Sequence, residues 1–216
     1  MTLFRLDASI LPPTSASRAL GDIVEAEWRA EHPDSEVVRR DLAADPIPAT
    51  YWAAAVTSGF TPEEDQSDEQ RAAVALATQL ADELVAADAL VFTVPLYNYG
   101  VSQHVKTWFD LAFTDQRTGM QGTALQGKPA VLVTVLGGNY GEGTPKEGWD
   151  HSTDWLVRVL KDVWGVDLRI VQRPFTLVGV NPAMDAFADI AAELKEQAEK
   201  LAQDSGREIA QAAVRA

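Results

Sequence analysis

A chain of 216 residues, 46% hydrophobic and 23% charged, has the length and balance of one globular domain that buries its core unaided. It contains no cysteine, which excludes disulfides, thiolate metal sites and cysteine nucleophiles. Its formal net charge of -14 disfavours nucleic acid, and no run reaches the ~20 apolar residues of a membrane helix, so a cytoplasmic protein is expected.

Residues 2–8 read as a first strand, and 18–30 as a helix burying Leu20, Ile23, Val24 and Trp28. Residues 36–40 form a weaker second strand. The proline-bearing segment 45–64 reads as a long connection or short helices over a site or an interface. Residues 68–86 carry Leu76, Ala77, Leu80, Ala81 and Leu84 on one helical face. Residues 89–94 and 129–136 are continuously apolar, as strands covered on both faces are. A helix over 101–113 separates them, and a helix over 150–164 precedes a fifth strand at 168–172. A last helix over 185–202 shows a stripe of Phe187, Ile190, Leu194, Ala198 and Leu201, and the stretch from Gln203 reads as a frayed tail. Strands alternating with helices predict a doubly wound α/β domain over residues 1–203 with a tail over 204–216. The expected parallel order is 2-1-3-4-5, which places ligands beyond the ends of strands one, three and four.

The three loops at those ends have unusual chemistry. The first runs from Ser9 to Arg18. Ser15, Ser17 and the N–H groups of a helix start can donate to one anion, although either serine can equally be a simple N-cap. The second, Pro95-Leu96-Tyr97-Asn98-Tyr99-Gly100, offers aromatics and amides to a flat ring, or is a turn with packed tyrosines. The third begins Gly137-Gly138, and glycines permit close backbone approach.

These residues together resemble the FMN-dependent NADH-azoreductases, within the wider flavodoxin-like NAD(P)H:quinone reductases. The likeness is densest in Ser9…Ser15-Ala-Ser-Arg18, in the Asp41-to-Pro48 segment, in Pro95-Leu-Tyr-Asn-Tyr followed by Lys106-Thr-Trp-Phe-Asp110, and in Gly137-Gly138. It implies a flavodoxin-like fold and an FMN phosphate held by Ser9, Ser15, Ser17 and Arg18. It also implies an isoalloxazine lined by Leu96, Tyr97, Asn98 and Tyr99, with Gly137 and Gly138 at its other edge. NADH or NADPH would be the donor and a quinone or azo compound the acceptor, contacted by Asn98 and Tyr140. The resemblance further implies a homodimer, for which Trp108, Phe109 and the Tyr51-Trp52 pair could supply an apolar surface. Where relatives often carry arginine before the glycine pair, this chain has Leu136. That difference predicts a less cationic ring environment and poor reduction of anionic azo dyes.

Other motifs fail. The Gly122-to-Pro129 run places a proline where a P-loop needs Ser or Thr, and it precedes a strand rather than following one. His32, His104 and His151 lack metal-ligand spacing, so no metal is expected. Two alternatives stand beside the reductase: a flavodoxin-type carrier docking to a protein partner, and a biosynthetic flavoprotein with its own substrate.

Overall fold

The computed structural model describes residues 1–11 and 14–214; Pro12 and Pro13 of the first loop, and the last two residues of the tail, lie outside the described residues. Five strands form one parallel sheet: β1 (Thr2–Asp7), β2 (Glu36–Asp41), β3 (Ala89–Pro95), β4 (Pro129–Val135) and β5 (Asp167–Arg173), in the order β2-β1-β3-β4-β5. The expected flavodoxin-like doubly wound topology is present. Among the described residues six α-helices accompany it: α1 (Ala16–Glu31), α2 (Tyr51–Ser58), α3 (Asp68–Ala86), α4 (Gln103–Ala112), α5 (Thr153–Val157) and α6 (Ala188–Ala213). The long connection therefore contains a helix, α2. The helix expected over 150–164 is a short α5 that runs on as a π-helical stretch, Arg158–Val163.

Strand alternation divides the core into two layers. Phe4, Leu6, Leu90, Phe92 and Leu132 face a cluster with Leu80, Leu84, Trp108, Phe109 and Trp164. Leu3, Val91, Val131 and Val133 face the other, with Leu20, Val24 and Trp28 of α1 and Ala198, Ala202 and Ile209 of α6. Every residue of β3 and β4 is buried, which is why their sequences show no polar alternation.

Two expectations fail on packing grounds. Trp108 and Phe109 are fully buried and meet edge-to-face in the core, so they offer no surface to a partner. The apolar stripe expected on the last helix is half exposed at Phe187, Ile190 and Leu201. Of that stripe Ala198 is buried, on a face that otherwise runs through Ala191, Ala202, Gly206, Ile209 and Ala210. The cause is the closeness of α1: a Cβ on Gly206 would lie 2.8 Å from the Val24 carbonyl oxygen and 2.8 Å from the Glu27 Cβ. At that point only a glycine fits without a shift. Because this contact continues past Ala202, the stretch expected as a frayed tail is helical and packed as far as Ala213.

Candidate functional site

Loop one is held rigidly from below. Ser15 caps α1, its Oγ accepting from the Arg18 N–H at 3.3 Å. The Ser15 and Ser17 hydroxyl oxygens are 3.0 Å apart, both buried. The first-turn N–H groups of a helix have no intrahelical acceptor, so this end attracts an anion. The Arg18 guanidinium turns the other way. It donates to both Asp41 carboxylate oxygens at 2.8 Å and to the Ser9 carbonyl at 3.0 Å. This pairing raises the Arg18 pKa and holds the Asp41 carboxyl below the usual range. Beneath lies Arg5, only 1% exposed, bonded to Asp7, Asp22 and Glu25. Burial works against its charge, but the carboxylates outweigh that and raise its pKa. Asp7 also accepts from the Thr93 hydroxyl at 2.8 Å, which ties the ends of β1 and β3 together.

Loop two is a tight hairpin. The Tyr97 N–H donates to the Gly100 carbonyl at 3.4 Å, and the Gly100 N–H to the Tyr97 carbonyl at 3.0 Å. The two central residues are left-handed, with φ of 50° at Asn98 and 66° at Tyr99. Such a turn suits Asn but strains Tyr, and strain of this kind gathers at functional sites. Among the described residues, no acceptor takes the Asn98 or Tyr99 N–H. The Tyr97 hydroxyl reaches back to loop one, accepting from the Ile10 N–H at 3.2 Å and lying 3.3 Å from the Ser9 Oγ.

Loop three is braced by the segment after β5. The Phe175 and Leu177 N–H groups donate to the Gly138 and Gly137 carbonyls at 3.2 and 3.1 Å. Tyr140 packs edge-on against Tyr99, centroids 6.3 Å apart, and Trp149 meets Tyr99 likewise at 5.3 Å.

The loops enclose a cleft of about 560 Å³. Of the residues singled out in the sequence, Ser9, Ser15, Leu96, Tyr97, Asn98, Tyr99, Gly137 and Tyr140 line it. Ser17, Arg18 and Gly138 do not; Ser17 supports Ser15 from beneath, Arg18 is committed to Asp41, and Gly138 is set back behind Tyr140. His151 donates its backbone N–H to the Tyr99 carbonyl at 3.0 Å. Lys146 lines the cleft too, from the far end of the third loop, and three lining residues come from a segment that sequence reasoning did not name: Thr176, Leu177 and Val180. These three follow β5, whose place beside β4 could have pointed to them. Leu136 is buried and absent from the lining, while Lys146 brings a cation into it. In chemical terms the cleft joins an anion-attracting end to an apolar, aromatic slot edged by backbone donors, a set that fits a phosphate carrying a planar ring.

A family model described as flavodoxin-like fold matches residues 1–202. The FMN-dependent NADH:quinone oxidoreductase of Frankia casuarinae is 39% identical over 199 residues, covering 91% of this chain and 94% of that protein. The protein of the same description from Streptomyces coelicolor is 34% identical, covering 95% and 99%. Among solved structures, an azoreductase from Bacillus anthracis superposes with a TM-score of 0.78 at 20% identity, over 96% of this chain and 99% of that one. An FMN-dependent NADH-azoreductase from the same species, solved with FMN, gives 0.67 at 18% identity over 93% and 99%. At those identities the structural likeness bears on the fold.

Proposed function

Because the chain belongs to the flavodoxin-like family of FMN-dependent NADH:quinone oxidoreductases, we propose that it reduces quinones or azo compounds with NADH through FMN held in this cleft. The observation that carries the reading is the convergence of the Ser15 helix start, the strained Asn98–Tyr99 turn and the Gly137 loop on one cavity, in a chain this similar to named enzymes. FMN, when bound, supplies two-electron transfer between a nicotinamide and an acceptor. The protein supplies position. The hydroxyls of Ser9 and Ser15, supported by Ser17, take the phosphate together with the α1 N-terminus. Arg18 does not need to touch the phosphate: by gripping Asp41 and the Ser9 carbonyl it fixes the loop that does. Leu96, Tyr97, Asn98 and Tyr99 form one wall of the ring site and Gly137 the opposite edge, with Gly138 next to it but outside the lining. Asn98 and Tyr140 face the space left for donor and acceptor.

Since one cleft serves both, the two substrates exclude each other. Double-reciprocal plots at several quinone concentrations are expected to be parallel, and intersecting lines would rule out the shared site. The purified protein should be yellow and release free FMN on denaturation; a colourless protein that FMN cannot reconstitute would remove the reading. The protein acts in the cytoplasm as a homodimer, a reading supported by half-exposed Trp52 on α2 and by the strongly exposed Phe60 beyond it. The expected mass by light scattering is twice 23.4 kDa, and a monomer mass at micromolar concentration would oppose it.

A further inference from the structure

In a chain of net charge -14, the cleft contains a cation and no anion: among its described lining residues, Lys146 alone is charged. Its Nζ lies 5.5 Å from the Tyr99 ring centroid and 5.8 Å from that of Tyr140, over the same aromatic wall. Among the described residues no carboxylate pairs with it. Its neighbour Glu147 is turned into the loop, accepting from the Gly143 N–H at 2.8 Å. The turn is fixed, with the Trp149 N–H donating to the Lys146 carbonyl at 3.1 Å. An unpaired ammonium held over an apolar slot attracts an anion, and it does so at the loop-three wall rather than at the hydroxyl wall of Ser9, Ser15 and Tyr97.

We propose that Lys146 is a specificity-determining residue that favours electron acceptors bearing an anionic substituent, such as a ring sulfonate or carboxylate, and orients them along the Tyr99–Tyr140 wall. The proposal rests on the reductase reading and names its substrate class. It reverses the preference for neutral acceptors that Leu136 suggested.

The test compares 1,4-naphthoquinone with 1,4-naphthoquinone-2-sulfonate as acceptors for wild type, Lys146→Ala and Lys146→Glu holoprotein. Binding of the unreactive 2-naphthalenesulfonate is followed in parallel by quenching of tryptophan fluorescence, which Trp149 reports from beside Tyr99. Removing the ammonium should raise KM for the sulfonated quinone and Kd for the naphthalenesulfonate by about two- to fivefold beyond any change in KM for the neutral quinone, the range for one exposed charge contact. Lys146→Glu should go further, and ~1 M salt, where screening acts over ~3 Å, should erase the wild-type preference. Equal losses for both quinones would overturn the proposal. So would a change confined to the KM for NADH, which would assign the ammonium to the donor's phosphates, or a loss of FMN. If wild type reduces neither quinone, the reductase reading fails on its own; naphthalenesulfonate binding then still decides, and equal affinity with and without Lys146 overturns the proposal.

Discussion

Ser15 and Ser17 make their strongest contribution as a pair, one facing the cleft and one behind it. Ser15→Ala should weaken FMN binding by about 1 kcal/mol, an ordinary net hydrogen-bond value, and the double substitution with Ser17→Ala by more. Fluorescence titration of the apoprotein measures this, and an unaltered affinity in the double variant would move the phosphate elsewhere. Beneath them, a Cβ on Gly21 would lie 2.6 Å from the Thr93 Cγ2 and 3.0 Å from an Arg5 guanidinium nitrogen. Gly21→Ala should therefore cost about 1–3 kcal/mol by overpacking, read as a lower urea midpoint with the slope kept. At this scale the sequence was legible where chemistry follows directly on a strand end, as in Ser9 or Leu96 to Tyr99. It was not legible for Arg18, because a cation at a helix start can face a ligand or a carboxylate from another strand, and only the β1–β2 register puts Asp41 within its reach. Lys146 was equally hidden, since its place over Tyr99 depends on how an irregular loop folds back.

Elements were legible wherever one face of the pattern was plainly apolar. The buried strands β3 and β4 match their expected spans closely, and α1 buries the Leu20, Val24 and Trp28 read from its period. Helix α6 defeats that logic because it carries two overlapping stripes, one mostly of large residues and one mostly of alanines with Gly206 and Ile209, and periodicity cannot choose between them. The choice is made by the partner: the close approach of Val24 and Glu27 on α1 admits only the stripe that carries Gly206. Gly206→Ala should push the two helices apart and lower Tm by about 2–12 °C, taking ~1–3 kcal/mol at ~2–4 °C per kcal/mol for a protein of this size. A calorimetric Tm equal to wild type would show that α1 can shift without cost.

For the molecule as a whole, the topology could be read from the alternation of strands and helices, while the ion network that stiffens the ligand end of the sheet could not. Arg5, Asp7, Arg18, Asp22, Glu25 and Asp41 come from three elements, β1, α1 and β2, and nothing in their spacing couples them. Its pH dependence has a definite sign. Arg18 depresses the Asp41 pKa in the folded state. The resulting stability is complete above the unfolded value of about 4 and is lost as pH falls through the lower folded value. Asp41→Asn should unfold more easily in urea at neutral pH and show a flatter loss of stability below about pH 4. Circular dichroism melts in stepped buffers test this, and identical acid slopes in the two proteins would show that the pair contributes nothing.

The fit between α1 and α6 also sets a timetable. On the ribosome, α1 leaves the exit tunnel while nearly all of the chain up to Ala188 is still to be made. Until α6 follows, Leu20, Val24 and Trp28 lack one side of their packing, and the serine-capped start of α1 has no settled support. Loading with FMN becomes a post-synthetic event, gated by the arrival of a helix that never touches the ligand cleft.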